Sequence, residues 1–159
     1  MDYLLGEFST MERFSSQEIA INPREYRFVD ILDHACDILM CDKNNITVYG
    51  ENSALIIKAD FELFAIALKN LLDNAFKYSQ EKPTLRISID AIEICSSGEP
   101  LSREQRSFSR PFNREYENSS GGLGLGLYIT HSILEKHGYS LQYDVRDGMN
   151  CFSIYFYQP

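Results

Sequence analysis

Apolar positions along this chain change their period several times, and each change marks an element. Leu4, Phe8 and Met11, with Leu5 alongside, fall at i, i+4 and i+7, one stripe of a helix. That stretch is too short to fold alone, so it is either a docked terminal helix or the end of a longer one whose partner lies elsewhere. Residues 17 to 28 alternate Ile19 and Ile21 with polar neighbours and are broken by Asn22-Pro23, which predicts a short edge strand and a turn. From Phe28 the period becomes 3.6: Phe28, Ile31, Leu32, Ala35, Ile38 and Leu39 line one face of a helix that stops at the turn cluster Asp42-Lys43-Asn44-Asn45. Ile46 to Gly50 and Ala54 to Ala59 read as a hairpin around Glu51-Asn52-Ser53. Asp60 is a natural N-cap for a second helix over residues 61 to 79. Leu85 to Ile89 and Ile92 to Cys95, parted by Asp90-Ala91, predict a second hairpin or a bulged pair. Residues 96 to 121 are polar and poorly periodic, a mobile loop of a length that usually serves function. A third helical pattern follows to about Gly138, and Ser140 to Arg146 with Asn150 to Tyr157 predict a last hairpin around Asp147-Gly148. Helices interspersed with hairpins, without strict βαβ alternation, predict an α+β two-layer sandwich, a mixed, mainly antiparallel sheet packed on helices.

Composition narrows the class. With 159 residues, 44% hydrophobic and 24% charged, the chain suits one globular domain with a real core. A net charge of −8 argues against general nucleic-acid or anionic-membrane binding. Cys36, Cys41, Cys95 and Cys151 form no C-x-x-C pair and have no histidine at metal-ligand spacing, which predicts reduced, partly buried thiols of a cytoplasmic protein. No apolar run approaches the roughly 20 residues of a membrane span, and no signal peptide opens the chain.

Two stretches carry the candidate chemistry. On a wheel of roughly 100° per residue, Phe64, Leu68, Leu71, Leu72 and Ala75 share one face of the 61 to 79 helix, Glu62, Lys69 and Asp73 another, and Asn70, Asn74, Lys77 and Tyr78 a third. Asparagine is a poor residue for a helix interior, so two of them one turn apart point to a use for their amides. A magnesium–triphosphate site supplies one: a neutral amide oxygen holds the hard cation without repelling its phosphates, Lys77 meets a phosphate as a point charge, and Tyr78 packs beside a base or ribose. The second stretch is Gly121-Gly122-Leu123-Gly124-Leu125-Gly126-Leu127. Gly122, Gly124 and Gly126 leave backbone N–H groups open to phosphates at a helix start, while Leu123, Leu125 and Leu127, continued by Ile129, Ile133 and Leu134, pin the segment to a core. It is no P-loop, since no Lys-Ser or Lys-Thr follows, and no dinucleotide fingerprint, since the third glycine comes early and no strand precedes it.

The run Asn70-Leu71-Leu72-Asp73-Asn74-Ala75-Phe76-Lys77-Tyr78-Ser79, followed by Gly122-Leu123-Gly124-Leu125-Gly126-Leu127-Tyr128-Ile129, closely resembles the catalytic ATP-binding domain of bacterial sensor histidine kinases, in the GHKL superfamily. Phe112-Asn113-Arg114 and His137-Gly138 are similar to the family too, and the resemblance covers roughly residues 17 to 157. It implies a Bergerat-type sandwich, ATP and Mg²⁺ as cofactors, Asn74 on the metal with Asn70 supporting it, and nucleotide contacts from Lys77, Tyr78, Arg114 and Gly122, Leu123, Gly124, Leu125 and Gly126. The family's adenine-binding Asp-x-Gly-x-Gly is matched here by Ser96-Ser97-Gly98-Glu99-Pro100. A serine hydroxyl accepts a hydrogen bond without the charge assistance of a carboxylate, a loss on the order of 1 kcal/mol that implies weaker ATP binding. Arg103, Arg106, Arg110 and Arg114, spaced by three or four, are either a phosphate clamp, a solvated basic patch or a docking surface. Where hydrolysing members of the superfamily carry a glutamate, this chain has Asn70, which favours phosphoryl transfer over an ATPase motor.

The resemblance also implies a phosphoacceptor histidine on a separate dimerisation domain. None of His34, His131 and His137 has that context, and His34 on a core-packing helix and His137 at a helix end suit structural roles. Residues 1–16 are then the tail of the dimerisation-domain helix, and 17–159 the catalytic domain. The implied partners are that histidine-bearing domain and a response regulator, with no nucleic acid and no direct membrane contact. The implied location is cytoplasmic, with a parent protein anchored in the inner membrane. Two alternatives stay open: a degenerate nucleotide-binding or docking module, and a stand-alone protein-serine kinase similar to anti-sigma factors.

Overall fold

The computed structural model describes residues 20–50, 55–79, 81–102, 106 and 125–156. In chain order the elements are β1 (Arg24–Arg27), α1 (Phe28–Leu39), a 3₁₀ turn (Lys43–Asn45), β2 (Thr47–Tyr49), β3 (Ile56–Ala59), α2 (Phe61–Tyr78), β4 (Thr84–Ile87), β5 (Ala91–Ser97), α3 (Leu125–Lys136), β6 (Ser140–Arg146) and β7 (Met149–Tyr155). The predicted helix at Leu4 to Met11 lies outside the described residues.

Helix ends follow their capping chemistry. The last turn of α1 closes as the Cys41 N–H donates to the Cys36 carbonyl at 3.0 Å and the Met40 N–H to that of Asp37 at 3.2 Å, with Met40 left-handed at φ 58°. Phe28, Ile31, Leu32, Ala35 and Cys36 are its buried stripe; Ile38, at the stripe's edge, is 40% exposed. Asp60 caps α2 as expected: its Oδ1 accepts the Leu63 N–H at 3.2 Å, and its Oδ2 reaches out to the Asn22 N–H at 3.0 Å. Phe64, Leu68, Leu71, Leu72 and Ala75 are buried, so α2 is the centre of the helical layer, packed between α1 and α3 and lying on β5.

Among the described residues, five strands form the main sheet in the order β2-β4-β5-β7-β6, with β2–β4 its parallel pair. The α+β sandwich is therefore as predicted, but one local pairing is not. The short edge strand expected within residues 17 to 28 is β1, after the Asn22-Pro23 turn, while Ile19 lies outside the described residues. The hairpin expected of β2 and β3 does not form: β3 pairs antiparallel with β1, Arg24 opposite Ala59, and β2 runs parallel to β4, Thr47 opposite Thr84. The reason sits at Gly50, with φ 103°, where a Cβ would stand 2.1 Å from the Ile87 carbonyl oxygen. Close approach to β4 turns the chain out of the sheet there. The β4–β5 hairpin forms with its turn at Ser88 to Asp90 rather than at Asp90-Ala91, so that Ile89 is 74% exposed. At the β6–β7 turn Asp147 and Gly148 are both left-handed, φ 52° and 75°, as a two-residue hairpin requires.

Strand alternation sorts the sheet's faces. Leu85, Ile87, Ile92, Ile94, Phe152, Ile154 and Leu141 share the helix-facing side through their register and join one core with the helices. The other side holds the Arg146–Glu93 ion pair, which raises the pKa of Arg146 through the Glu93 hydrogen bond, and also Cys95 opposite Cys151. Those two cysteines are joined as a disulfide with Cα atoms 4.1 Å apart, a correction to the four thiols expected. Register brings together residues 56 apart in sequence, which no spacing motif reveals. Cys36 and Cys41 are thiols; burial pushes Cys36 up to about 12, helped by the hydrogen bond its S–H donates to Cys41.

Candidate functional site

The asparagine stripe of α2 meets the start of α3. Asn70, 3% exposed, donates from Nδ2 to the Gly126 carbonyl at 3.3 Å, and Thr130 Oγ1 donates to that same oxygen at 2.8 Å. Residues 56 apart in the chain thus join in one contact, seating the glycine helix against the asparagine helix. The Asn70 Oδ1 accepts from Lys69 Nζ at 3.0 Å, so both ends of this amide are engaged by protein. Lys69 corrects the wheel: placed there on a polar flank, it is 8% exposed, its stem covered and its ammonium turned along the helix to the amide. Asn74, one turn on, is half-buried. Lys77 is exposed and pairs with Asp73 at 3.1 Å. The side chains of Tyr78 and Leu125, and Arg114, Gly122, Leu123 and Gly124 altogether, lie outside the described residues.

The end of β5 forms the second wall. Ser96 is 7% exposed on the helix-facing side, in register with Asn150 of β7, and Ser97 Oγ stands 3.1 Å from the Oγ of Ser79 at the C-terminal cap of α2. Gly98, with φ 144°, turns the chain off the strand. Side chains of β6 and β7 then take hold of it: Asn150 Nδ2 donates to the Glu99 carbonyl at 2.9 Å, the Leu101 N–H donates to the Tyr143 hydroxyl at 2.9 Å, and that hydroxyl donates to Asn150 Oδ1. Arg106 joins them, Nε donating to the Leu101 carbonyl at 3.1 Å with its guanidinium 5.0 Å over the Tyr143 ring. Of the arginine row, Arg106 is engaged with the loop's own backbone through Nε; Arg103, Arg110 and Arg114 lie outside the described residues. Tyr143, Asn150 and Lys69 went unmarked in the sequence. Asn150 had a signal, an amide inside a strand of apolar neighbours.

Each of the three histidines has a partner within the protein. His137 Nε2 accepts the Asp60 N–H at 2.9 Å while Nδ1–H donates to the Ile133 carbonyl at 2.7 Å, and burial lowers its pKa from 6.5. His34 contacts Glu62 at 3.0 Å and His131 contacts Glu135 at 3.2 Å.

Among the described residues, a mixed sheet under three helices, with α3 hydrogen-bonded to the asparagine-bearing α2 near the end of β5, defines an α+β sandwich domain. The family profile described as "Histidine kinase-, DNA gyrase B-, and HSP90-like ATPase" matches residues 59–159. Sensor histidine kinase ArsS of Helicobacter pylori is 32% identical over 158 residues, 98% of this chain but 37% of that relative's length. Among solved structures, the histidine kinase AdeS of Acinetobacter baumannii superposes with a TM-score of 0.72 at 18% identity, covering 96% of this chain and 76% of that one. The catalytic domain of histidine kinase ThkA does so with a TM-score of 0.66 at 21% identity, covering 84% and 96%. This chain belongs to the histidine kinase-, DNA gyrase B- and HSP90-like ATPase family, and within it to the catalytic ATP-binding domains of the sensor histidine kinases.

Proposed function

We propose that this domain, residues 17–159, presents MgATP to a histidine on a separate dimerisation domain, of whose helix residues 1–16 are the tail. A response regulator then receives the phosphoryl group. The reading extends to a cytoplasmic domain of a kinase anchored in the inner membrane. The observation that carries it is the Asn70–Gly126 hydrogen bond, which joins the two stretches singled out for phosphate and metal chemistry.

The donor set suits a metal that arrives with its own oxygen ligands. Among the described residues no group of three or more His, Cys, Asp or Glu could hold an ion unaided. The amide of Asn74, with Lys77 about one turn further along α2, instead complements a cation already carried by phosphates. In this reading Asn74 holds Mg²⁺, which screens the phosphate charge when bound. Asn70, with both ends hydrogen-bonded, supports it by locking α3 to α2. Lys77, exchanging Asp73 for a phosphate, adds a point charge, with Tyr78, Arg114 and the Gly122 to Gly126 backbone completing the cradle. Ser96, at a buried strand position, and Gly98 receive the base. Catalysis is then mostly positioning and charge neutralisation. A doubly engaged amide at Asn70 takes no proton from water, which turns the site from hydrolysis towards transfer.

Titration calorimetry with a non-hydrolysable ATP analogue tests this. Binding in the micromolar to sub-millimolar range, about −5 to −8 kcal/mol, is expected to need Mg²⁺ and to vanish in Asn74→Ala. No heat at millimolar nucleotide would sink the proposal. It would leave a docking module, in which the Ser96 and Pro100 departures have removed nucleotide binding.

A further inference from the structure

The chain leaves β5 at Gly98 and is held at once by side chains on two other strands. On the helix-facing side of the sheet, Asn150 stands opposite Ser96 and Tyr143 lies diagonally across from Asn150, beyond the last apolar pairs of the core. Asn150 is 8% exposed, and its amide is used at both ends: Nδ2 on the Glu99 carbonyl, Oδ1 on the Tyr143 hydroxyl. That hydroxyl donates once and accepts once, the second bond coming from the Leu101 N–H at 2.9 Å. Arg106 closes the set on the Leu101 carbonyl at 3.1 Å and over the Tyr143 ring, while its own N–H donates to the Ser102 carbonyl at 3.0 Å.

Residues 99 to 101 belong to no strand, so their backbone groups would otherwise face water and sample many arrangements. Tyr143 and Asn150 do for this segment what a neighbouring strand does for β5. Pro100 within it restricts the backbone and has no N–H to donate, so the grip falls on the Glu99 carbonyl and the Leu101 N–H at either side. The segment abuts Ser96 and Gly98, the wall assigned to the base under the function proposed above. Its position is therefore set by a network anchored on Ser96's own register partner.

We propose that Tyr143 and Asn150, assisted by Arg106, are positioning residues for the nucleotide site, fixing the Gly98 to Ser102 edge so that the base meets an ordered wall. This rests on the nucleotide reading and adds to it two residues outside both glycine and asparagine motifs. Neither touches the phosphates, so they act on affinity for the base-bearing part of the ligand.

The test uses the full 159-residue chain as wild type, Tyr143→Phe, Asn150→Ala and the double variant. MgATP-analogue affinity, inorganic triphosphate affinity, and hydrogen exchange at the Leu101 amide are measured together under conditions where each variant is folded. Tyr143→Phe keeps the ring and removes only the hydroxyl. It is expected to weaken nucleotide binding roughly three- to tenfold, the worth of about one hydrogen bond, to leave triphosphate binding unchanged, and to speed Leu101 exchange. Asn150→Ala behaves likewise, and the double variant is less than additive because the two share one network. A merely structural role would lower stability but leave the affinity of the folded protein intact; unchanged nucleotide affinity with faster exchange would overturn the proposal and spare the functional reading. Equal loss of nucleotide and triphosphate affinity would overturn it too, since the effect would then lie at the phosphates. Failure of the wild type itself to bind nucleotide would instead overturn the functional reading, and this proposal with it.

Discussion

Acidification removes stability from this domain at one identifiable joint, the ring of His137. Its two nitrogens are committed to one tautomer, Nε2 accepting from the Asp60 N–H at 2.9 Å and Nδ1–H donating to the Ile133 carbonyl at 2.7 Å. The ring thereby ties the end of α3 to the first turn of α2, with Phe64 and Tyr139 packed on it at ring distances of 6.0 and 5.7 Å. Burial lowers its pKa from 6.5, against the opposing pull of the Ile133 hydrogen bond and the Asp60 carboxylate. A proton added at Nε2 leaves no lone pair for the Asp60 N–H. Because the folded pKa lies below the unfolded value, the unfolded chain binds more protons just below pH 6.5. Stability is therefore full above that value and falls as pH drops towards the folded pKa. One proton sets a ceiling of about 1.4 kcal/mol per pH unit, and a ring only partly covered reaches less. Other groups titrate in the same window, so the quantity to follow is the difference between wild type and His137→Phe in urea melts at pH 7.5, 6.5 and 5.5. At pH 7.5 the variant should be about 1 to 3 kcal/mol less stable, since the Asp60 N–H loses its acceptor. That gap should narrow by up to about 1 kcal/mol towards pH 5.5. A gap that stays constant or widens on acidification would show that the ring is not held neutral by this joint.

Other consequences follow from the packing. Gly50→Ala places a methyl 2.1 Å from the Ile87 carbonyl oxygen at φ 103°, so a loss of about 2 to 4 kcal/mol is expected by urea denaturation, with a near-neutral result contradicting the β2–β4 approach. Thiol titration of the unfolded, unreduced chain should find Cys36 and Cys41 alone; finding all four would exclude the Cys95–Cys151 bond. Cys151→Ser should cost up to about 4 kcal/mol for a closure spanning 56 residues, read as a lower urea midpoint under non-reducing conditions and no change under reducing ones.

Helix α2 was legible almost to the residue, because a cap, a 3.6-residue stripe and two out-of-place asparagines all speak through local chemistry. The same holds for the β6–β7 turn, where Asp147-Gly148 needs only its own dihedral preferences. The candidate site was legible in its motifs for a related reason: residue types poorly suited to their element advertise a second use. What stayed hidden is what depends on residues far apart. The partner of β3 is β1 across a whole helix, and the pattern within β2 and β3 reads the same for either pairing. Lys69 looked solvent-facing because a wheel knows nothing of the neighbour that covers it.

Sequence alone thus determined most of the helices and strands and the family they belong to, and it singled out the two stretches that α2 and α3 carry, since propensity, capping and spacing act over a few residues. Only tertiary structure decided that Asn70 meets Gly126, that Asn150 and Tyr143 hold Glu99 and Leu101, that Cys95 faces Cys151, and that His137 supports Asp60. Each of those contacts is made by short-range forces between groups distant in the chain, so register and packing, not local pattern, choose the partners.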